Sequence, residues 1–315
     1  MRNKTPAAPV ATELSPHGYA IVKPVRGSDI PMEITFVLTR DEIYVPIIIR
    51  KPRGDGPFPV ITMGRGDGKG GVPHLEQQID LLASMQDEMI KRGYVVAYVN
   101  YRNEIPHLYE KAPPAKNLPD DVSGGARRTL KSAPTLDSDD FLAILKYLRT
   151  LPYVNANAIG ATGVSHSGEM ILKAAAETDF AAGVAIEGAS HEFLSVDTGP
   201  AAPRKGTEIQ NQDIEVARKN ADKSQAMKRI RRINTPILHI GRDRDHLQGI
   251  IKLAHEWMVE AGKDSSWASF DHPSHGYPYI YRKPDGSYKP EPVQRQAFDV
   301  MMNFFDLHLK RAPGK

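Results

Sequence analysis

The stretch Gly163-Val164-Ser165-His166-Ser167-Gly168 decides which fold the rest of this chain is expected to adopt. Residues 158–162 before it predict a short buried strand, and residues 169–177 after it predict a helix with few breakers. A serine between such a strand and helix, flanked by Gly163 and Ser167, is typical of the nucleophile elbow Gly-x-Ser-x-Gly. The sharp turn forces the serine into a strained backbone conformation and requires small neighbours. Because short matches of this kind are common by chance, the interpretation depends on the rest of the chain.

Predicted strands and helices alternate along most of the chain, which is typical of a parallel sheet covered by helices. Apolar runs predict strands at residues 60–63, 94–99, 158–162, 182–186, 236–240 and 267–270. Periodic apolar positions predict helices at residues 75–92, 137–150, 169–177, 222–232, 249–261 and 292–309, with Asp137 or Ser138 as the N-cap of the second. Three β-rich runs between residues 19 and 52 precede them. The predicted fold class is therefore α/β, with a mostly parallel central sheet, helices on both faces and an antiparallel β segment at the N-terminus.

The predicted domain organisation is simple. Residues 1–16 form a flexible N-terminal arm, and residues 17–315 form one domain with insertions at about 103–134 and 191–222. Both insertions leave the side of the sheet where a catalytic centre is expected, so they are candidates to cover it. Apolar side chains stand in them among many charges: Tyr109, Phe193 and Leu194. This mixture predicts a polar rim over the site and argues against the lid of a lipase.

Length and composition exclude several classes of function. The chain has 315 residues, a formal net charge of +3 and no cysteine. The small charge gives no indication of a nucleic-acid partner, and no apolar run approaches the ~20 residues of a membrane span. Disulfides and thiol catalysis are excluded. The N-terminal arm lacks the apolar core of a signal peptide, which is compatible with a cytoplasmic chain or with an exported chain whose signal has been removed. The compartment and the oligomeric state stay open.

Two patterns that suggest a cofactor or a metal are incomplete. Residues 66–71 match Gly-x-Gly-x-x-Gly, but residues 100–102, which end the next strand, lack the acid that would bind a ribose. They also fail as a phosphate loop, because Gly70 stands where Ser or Thr should bind magnesium. His272 and His275 are close enough in sequence to share a metal, but a third ligand is not evident. We therefore expect no cofactor and no metal.

Further motifs give the chain a specific resemblance. They are Phe58-Pro-Val-Ile-Thr-Met-Gly64, Gly93-Tyr-Val-Val96, Asn100-Tyr-Arg102, Pro236-Ile-Leu-His-Ile-Gly241 and His275-Gly-Tyr277, together with the elbow. With them the chain resembles α/β-hydrolases of the prolyl oligopeptidase and dienelactone hydrolase type, from about Ile43 to the C-terminus. The resemblance implies an α/β-hydrolase fold and a serine hydrolase whose catalytic triad follows the chain order serine, acid, histidine.

Ser165 is the nucleophile in this interpretation. A serine hydroxyl is a weak nucleophile near neutral pH and needs a base that removes its proton. His275 and His272 both follow the last predicted core strand, within Asp271-His-Pro-Ser-His-Gly-Tyr277. Because His275 stands before glycine and an aromatic residue, as the catalytic histidine of the resembled family does, it is the predicted base and His272 is its competitor.

The acid that orients this histidine has three candidates. Asp243 and Asp245 lie just beyond a predicted strand, at the carboxyl end where catalytic groups gather in open α/β sheets. In the resembled family the acid follows the glycine of this motif by three or four residues, which favours Asp245 and leaves Asp243 second. Glu187 closes the preceding strand and is the third candidate. Arg242 and Arg244 are alternative partners for the two aspartates.

Backbone N–H donors are needed for the negative charge that develops on a substrate carbonyl. The N–H of His166, directly after the nucleophile, is one predicted donor of this oxyanion hole. The other is expected from Arg65 or Gly66. The resembled family has His-Gly-Gly there, whereas this chain has Met63-Gly64-Arg65-Gly66, so a glycine-rich backbone is retained. The Arg65 side chain is predicted either to bind an acidic substrate group or to lie at the surface.

Together these residues predict a serine hydrolase that cleaves a carboxylic ester of a small to medium polar substrate through an acyl-enzyme. Only a short segment precedes the resemblance, so we expect no N-terminal propeller and no size filter for oligopeptides. An esterase is therefore the first prediction, and a serine peptidase or amidase of the prolyl oligopeptidase type is the second. A noncatalytic binding protein with this fold is the alternative from another class. The complete set of serine, acid and histidine argues against it.

Overall fold

The computed structural model describes residues 14–15, 18–66, 71–102, 136–196 and 213–310 of the chain. All of the first predicted insertion, the middle of the second and nearly all of the predicted N-terminal arm lie outside these residues. The division into an arm and one domain therefore stays a prediction. Among the helices in the described ranges, none combines the length and the apolar character needed to cross a membrane.

The order of elements follows the predicted alternation. The strands are β1 (Leu14–Ser15), β2 (Gly18–Tyr19), β3 (Ile21–Val25), β4 (Ser28–Leu38), β5 (Tyr44–Arg50), β6 (Phe58–Arg65), β7 (Val95–Val99), β8 (Val154–Val164), β9 (Ala182–Ile186), β10 (Ile237–Arg242) and β11 (Ser265–Phe270). The helices are α1 (Gly71–Lys91), α2 (Asp137–Leu148), α3 (His166–Ala175), α4 (Ile214–Asn220), α5 (Lys223–Ile230), α6 (Gln248–Glu260) and α7 (Pro292–Leu309).

Nine of the described strands form one sheet, in the order β11-β10-β9-β8-β6-β7-β5-β4-β3. Strands β3, β4, β5 and β7 pair antiparallel, while β7, β6, β8, β9, β10 and β11 run parallel. The predicted mostly parallel sheet with an antiparallel N-terminal β segment is therefore confirmed. The chain passes from β6 outward to β7 and then returns across β6 to β8. The carboxyl ends of β6 and β8 thus meet at a topological switch point, where ligands bind in open α/β sheets.

Helices cover both faces of the sheet and bury two apolar layers. On one face α2, α3 and α6 contribute Phe141, Met170 and Trp257 to the first layer. On the other face α1 and α7 contribute Leu82 and Phe298 to the second. Each of these side chains is at most 1% exposed, and full burial of such a side chain contributes about 1.5–3 kcal/mol. The two layers fix the strands, and with them the positions of the loops at their carboxyl ends.

Two segments differ from the sequence-based expectation. Phe193 and Leu194, predicted to lie in a rim over the site, are fully buried in the layer beside α3. The Phe193 N–H donates to the Glu169 carboxylate at 2.9 Å, which anchors this segment to α3. Helix α4 lies where a polar insertion without a helix is predicted, and Asp213 caps it by accepting from the N–H of Glu215 at 2.8 Å. The first difference involves a contact between residues 24 apart in sequence, which local composition does not indicate, whereas the cap of α4 is a local contact.

His239 on β10 is a buried imidazole without a hydrogen bond to any described residue. Its side chain lies in the core, and neither ring nitrogen has a partner. The ring of His255 packs near it, with 5.7 Å between ring centroids. Burial, with a smaller contribution from His255, lowers the pKa of His239 to about 3. The folded protein therefore holds this histidine neutral over the whole physiological range of pH.

We expect His239→Leu to increase stability at acidic pH. An unfolded chain binds the proton of this histidine near pH 6.5, whereas the folded chain binds it only near pH 3. Between these values the free energy of unfolding falls as the pH falls. The imidazole therefore costs about 2 kcal/mol at pH 5, and leucine removes this cost. Urea unfolding of both proteins at pH 7.5 and pH 5 measures the effect. An equal loss of stability in the two proteins between these pH values contradicts the prediction.

Candidate active site

Ser165 lies at the turn between β8 and α3 with a strained backbone. Its φ is 56° and its ψ is −116°, and α3 begins directly after it at His166, earlier than the sequence predicts. Such a conformation costs about 1–3 kcal/mol, so the surrounding contacts must hold it. The Ser165 N–H donates to the Ile186 carbonyl at 2.9 Å, and the Ser165 carbonyl accepts from the N–H of Ala189 at 3.0 Å. Both bonds tie the turn to the chain at the end of β9.

Small residues allow this turn, as predicted. A Cβ atom added to Gly163 would lie 2.6 Å from the Cβ of Ser167. One added to Gly168 would lie 2.8 Å from the Cα of Gly188. Real Cβ atoms do not approach other atoms closer than 3.0 Å, so neither glycine can be replaced without a shift of the backbone. The two glycines of the pattern Gly-x-Ser-x-Ser-Gly are therefore required by the geometry of the turn.

The predicted oxyanion donors lie beside this turn. His166 begins α3, and the end of β6 approaches it so closely that a Cβ added to Gly66 would lie 2.5 Å from the His166 Cβ. Tyr279 fixes this end of β6, because its hydroxyl accepts from the Gly64 N–H at 3.3 Å and donates to the Thr162 carbonyl at 3.1 Å. A glycine-rich backbone is thus held against the N-terminus of α3, where the helix dipole favours negative charge.

The Arg65 side chain binds a tyrosine. Its guanidinium donates to the Tyr281 hydroxyl at 2.6 Å, and its Cζ lies 5.4 Å from the centroid of the same ring. The Tyr281 hydroxyl in turn donates to the Gln78 side chain of α1 at 3.3 Å. Arg65 therefore anchors the end of β6 to the chain that follows β11, a contact that the sequence does not indicate.

We expect Gly66→Ala to lower kcat by about tenfold or more and to leave KM nearly unchanged. The added methyl group must displace either the end of β6 or His166, and oxyanion donors act mainly in the transition state. Steady-state kinetics on a p-nitrophenyl ester measure both constants, and a thermal melt controls for folding. A folded variant with the wild-type kcat would show that this end of β6 does not contact the transition state.

His275 follows β11 and is held at one ring nitrogen by two carboxylates. Its Nδ1 contacts a carboxylate oxygen of Glu187, and the Oδ2 of Asp245 lies 3.3 Å from it. Both carboxylates are fully buried. Because carboxylates only accept hydrogen bonds, Nδ1 carries the proton and Nε2 is the basic nitrogen. No described residue forms a hydrogen bond with Nε2, so it is free to accept a proton from a serine.

The loop that carries His275 packs on the strand that carries the nucleophile. Gly276 has a φ of 74°, and a Cβ added there would lie 2.9 Å from the Cγ1 of Val164. Val164 directly precedes Ser165. Glycine is the residue that combines a positive φ with such a close approach. The order histidine-glycine in this loop therefore has a geometric cause.

Arg242 at the end of β10 binds both the predicted acid and the histidine loop. Its Nε and Nη2 donate to the Oδ2 of Asp245 at 3.0 and 2.5 Å. Its Nη1 donates to the carbonyls of His272 and Pro273 at 3.3 and 3.4 Å. The other oxygen of Asp245 accepts from the N–H of Leu247 at 2.6 Å. Arg242 thus fixes the carboxylate and the loop relative to each other, although the sequence indicates it only as a possible partner of an aspartate.

Hydrogen bonding outweighs burial in setting the pKa values of this group. Burial alone raises the pKa of Asp245, but hydrogen bonds from His275 and the Leu247 N–H hold it below its ordinary value. Burial lowers the pKa of His275, yet its hydrogen bonds to Asp245 and Glu187 and their charges raise that pKa to about 9. The site therefore stabilises the imidazolium, which is the form that a general base takes in the transition state. Because only the neutral imidazole can accept the proton of a serine, activity should rise with pH up to about the pKa of His275.

The competing candidates lie apart from this group. Asp243 is exposed and accepts a hydrogen bond from the Ser269 hydroxyl at 2.5 Å. His272 is buried, its ring stacks on Tyr277 with centroids 5.0 Å apart, and its Nδ1 accepts from the Ser274 N–H at 3.0 Å. Within the described residues, neither side chain forms a hydrogen bond or an ion pair with the predicted base or its two carboxylates.

One contact at the site lies outside the sequence-based interpretation. The Nε2 of His166 lies 2.7 Å from the Oδ2 of the buried Asp137. The ring of Tyr101 packs edge-on against the same imidazole, with centroids 5.8 Å apart. The sequence predicts Asp137 or Ser138 as the N-cap of α2, but the N-cap is Leu136 and both predicted residues lie within the helix. The Asp137 carboxylate contacts His166 of α3 instead. No spacing in the sequence indicates this pair, since β8 separates the two helices.

Three side chains that could bind a metal also meet here. Asp245, His246 and His275 have ligand atoms within 4.8 Å of one another and form the one such group found in the described ranges. His272 is not part of it. Arg242 binds Asp245 at the same place, and its positive charge disfavours a cation there. The expectation that the protein uses no metal stays a prediction.

A family comparison identifies where this chain is similar to known proteins. The sequence matches the profile of the prolyl oligopeptidase family over residues 128–311, which is more than half of the chain. The matched region contains the elbow, the three candidate acids and both candidate histidines. A search of curated proteins finds no match.

Solved structures similar to this chain include peptidases and esterases. An acylaminoacyl peptidase from Pyrococcus horikoshii is 20% identical with a TM-score of 0.59, and the match covers 92% of this chain and 44% of that chain. An esterase from Pyrobaculum calidifontis is 14% identical with a TM-score of 0.56, covering 91% and 87%. A candidate dienelactone hydrolase from Klebsiella pneumoniae is 14% identical with a TM-score of 0.55, covering 88% and 99%. These similarities show the α/β-hydrolase fold. The chain spans less than half the length of the peptidase.

Proposed function

This chain belongs to the prolyl oligopeptidase family of serine hydrolases, and from this premise we propose that it cleaves a carboxylic ester of a small to medium polar substrate through an acyl-enzyme. Family membership makes the protein a hydrolase; the bond cleaved and the residues that cleave it are the proposal. The observation that carries it is the strained Ser165 at the turn between β8 and α3, beside a loop whose histidine is held at Nδ1 by buried carboxylates.

The proposed reaction has two steps. In the first, the Ser165 Oγ attacks the ester carbonyl while the Nε2 of His275 takes its proton. The imidazolium then gives that proton to the departing alcohol, and the C–O bond to the alcohol breaks. In the second step water attacks the acyl-enzyme with His275 again as base, which releases the acid and restores the serine. Asp245 keeps the imidazole in the correct tautomer and stabilises its positive charge in both steps.

The charge on the carbonyl oxygen is met by backbone donors in this proposal. The N–H of His166 is one, and the backbone of Arg65 or Gly66 is the other. Their support is the close packing of the end of β6 against His166, together with the N-terminus of α3 beneath the turn. Donors fixed by packing need no reorganisation when the oxyanion forms, and each is worth about 10²–10³ in kcat.

Two observations favour an ester with a polar portion. The similar structures that this chain covers over most of their length are the esterase and the candidate dienelactone hydrolase, and both names denote hydrolysis of an ester. The second observation is the sequence of the predicted insertion at about residues 103–134, which carries many charged side chains, among them Glu104, Lys111, Lys116, Arg127 and Arg128. A long alkyl chain would find few apolar contacts among them.

A peptidase is the second candidate, and a specific observation supports it. The family profile and the acylaminoacyl peptidase both point to amide hydrolysis. Amides and esters share the same acyl-enzyme chemistry, so the geometry of serine and histidine does not separate them. The leaving group decides between the two, because an amine must be protonated as it departs while an activated phenol need not be.

Kinetics on matched substrates test the proposal. We expect kcat/KM on p-nitrophenyl esters to fall as the acyl chain lengthens beyond short chains, and we expect aminoacyl-4-nitroanilides to react more slowly than the best ester. A fluorophosphonate probe should label the protein, and peptide mapping should place the label on Ser165. A maximum at long acyl chains or activation by emulsified lipid contradicts the polar substrate. Faster turnover of an anilide than of every ester makes the peptidase the better proposal.

A further inference from the structure

Two buried carboxylates meet one proton at the Nδ1 of His275. Asp245 approaches from the end of β10 and Glu187 from the end of β9. A serine hydrolase needs one acid at this position. Burying a second carboxylate costs further desolvation free energy. A carboxylate buried at this depth persists only where its partners compensate the loss of water. The question that the geometry poses is what Glu187 does there.

The backbone around Glu187 is arranged to aim its carboxylate at the histidine. Glu187 has a φ of 45°, a conformation that is uncommon for a residue other than glycine. Its N–H donates to the carbonyl of Ile240 on the neighbouring strand at 2.8 Å. Its Oε2 accepts from the N–H of Gly276 at 2.9 Å, directly beside the contact with His275. The carboxylate therefore holds both the ring and the backbone of the histidine loop.

Arg242 balances the charge of the two carboxylates. Its guanidinium donates twice to the Oδ2 of Asp245, and its Nε lies 3.8 Å from the Oε1 of Glu187. Two carboxylates and one guanidinium carry a net charge of −1 beside a neutral imidazole. That is the charge of an ordinary triad with a single acid. When the imidazole takes a proton, the net charge changes from −1 to zero, both with one acid and with two acids and an arginine. The second acid therefore leaves the charge change of the catalytic step the same.

Arg242 and His275 both contact the Oδ2 of Asp245, and this competition leaves a role for Glu187. The Oδ2 of Asp245 already accepts two N–H groups of Arg242, so its negative charge is largely compensated before the imidazole is considered. Glu187 accepts one backbone N–H, and its Oε1 has no hydrogen bond within the described part of the chain. Its charge is thus the less compensated of the two, and it faces the same Nδ1.

We propose that Glu187 is a second positioning acid, which shares the Nδ1–H of His275 with Asp245 while Arg242 balances the charge of the pair. The inference rests on the proposed function, because it assigns His275 as the general base. It extends the triad to four side chains and an arginine, all at the carboxyl ends of neighbouring strands.

Single and double variants test whether the two acids act jointly. Gln at position 187 keeps an oxygen for the Gly276 N–H and removes the charge, and Asn at position 245 does the same for the Leu247 N–H. We expect Glu187→Gln and Asp245→Asn each to lower kcat/KM by about 10- to 100-fold, because one carboxylate remains to fix the tautomer. The double variant should lose on the order of 10⁴ or more, because no carboxylate then remains to fix the tautomer. If Asp245→Asn alone costs 10⁴ and Glu187→Gln changes nothing, or the reverse, a single acid suffices and the inference is wrong.

The pH profile of kcat/KM provides a readout that a purely structural role would not move. The charged and titratable groups around His275 are Glu187, Asp245, Arg242, His246 and Tyr277. Removing a negative charge with Glu187→Gln should lower the apparent pKa of the base by about one unit. Removing the positive charge with Arg242→Gln should raise it by a similar amount. Arg244→Gln is the matched control, because Arg244 is exposed and pairs with the exposed Asp271. A Glu187→Gln profile that coincides with the wild type overturns the inference.

Fluorophosphonate mapping separates this inference from the proposed function. If the wild-type label maps to a residue other than Ser165, the proposed function fails together with the inference. If the label maps to Ser165 and the acid variants behave as a single-acid triad, the inference alone fails. Where Glu187→Gln does not fold, Arg242→Gln against Arg244→Gln decides, because both variants retain the two carboxylates. Equal pH profiles in that pair overturn the inference.

Discussion

Replacing Ser165 by alanine is expected to abolish ester hydrolysis and to lower kcat by about 10⁶-fold. The variant keeps the oxyanion donors and the substrate contacts, but no atom remains to form the acyl-enzyme. Water would have to attack directly, at a position that the serine turn does not prepare. Turnover of p-nitrophenyl acetate and labelling by a fluorophosphonate probe measure the loss. Both should vanish together, because they depend on the same oxygen.

The control for this experiment lies two residues further along the turn. Ser167 is buried, and its hydroxyl has no hydrogen bond within the described residues. Ser167→Ala removes an identical oxygen from the same motif and should retain both labelling and turnover. Ser165→Ala should also melt at or above the wild-type temperature, because alanine is no more strained than serine at a φ of 56°. Residual activity near the wild-type level in folded Ser165→Ala would refute the assignment of the nucleophile.

The sequence predicts those parts of the molecule that depend on patterns among residues close together in the chain. Apolar runs alternate with amphipathic helices, and that alternation requires a parallel sheet covered on both faces. The elbow is equally local, because the clashes that exclude side chains at Gly163 and Gly168 involve residues of the turn and of the strand beside it. A short pattern therefore predicted both the fold class and the strained serine.

The acid could not be chosen in the same way. Glu187, just beyond β9, and Asp245, just beyond β10, are 58 residues apart in sequence. The two strands are nevertheless neighbours in the sheet. The spacing after Gly241 ranks Asp245 above Asp243 as the acid. It contains no information on which strands are neighbours in the sheet. Only the strand order shows that two carboxylates reach one imidazole. The sequence does not indicate the pair of Asp137 and His166 for the same reason.

Two residues of the second predicted insertion are buried although its composition predicts a polar cap, because composition is an average over a segment. Charged and small residues dominate residues 191–222, which predicted a polar cap. Phe193 and Leu194 nevertheless pack into the core, and Glu169 on α3 accepts the Phe193 N–H. A buried carboxylate on a helix thus anchors this segment, and no local pattern identifies such a contact.

Arg50 presents the strongest case of a residue whose importance appears only in the structure. It ends β5, and its side chain is fully buried. Its guanidinium donates to the Asp87 carboxylate at 2.7 Å and to the Gln86 side chain at 2.9 Å, both on α1. It also donates to the Ser28 hydroxyl at 2.7 Å and to the Ile30 carbonyl at 2.9 Å, both on β4. One cation thus joins the antiparallel strands to the helix that packs over them.

We expect Arg50→Met to lower the free energy of unfolding by about 3–5 kcal/mol. Methionine fills much of the same volume, but it leaves the partners of the guanidinium without donors in the protein interior. Arg295→Met is the matched control, because Arg295 binds the neighbouring carboxylate of Glu88 at 2.6 and 2.8 Å while both side chains are about one-third exposed. Water replaces a lost partner at such a site, so this variant should lose no more than about 1 kcal/mol. Urea unfolding of the three proteins at one pH and salt concentration gives both differences, and equal losses would show that burial is not what makes Arg50 important.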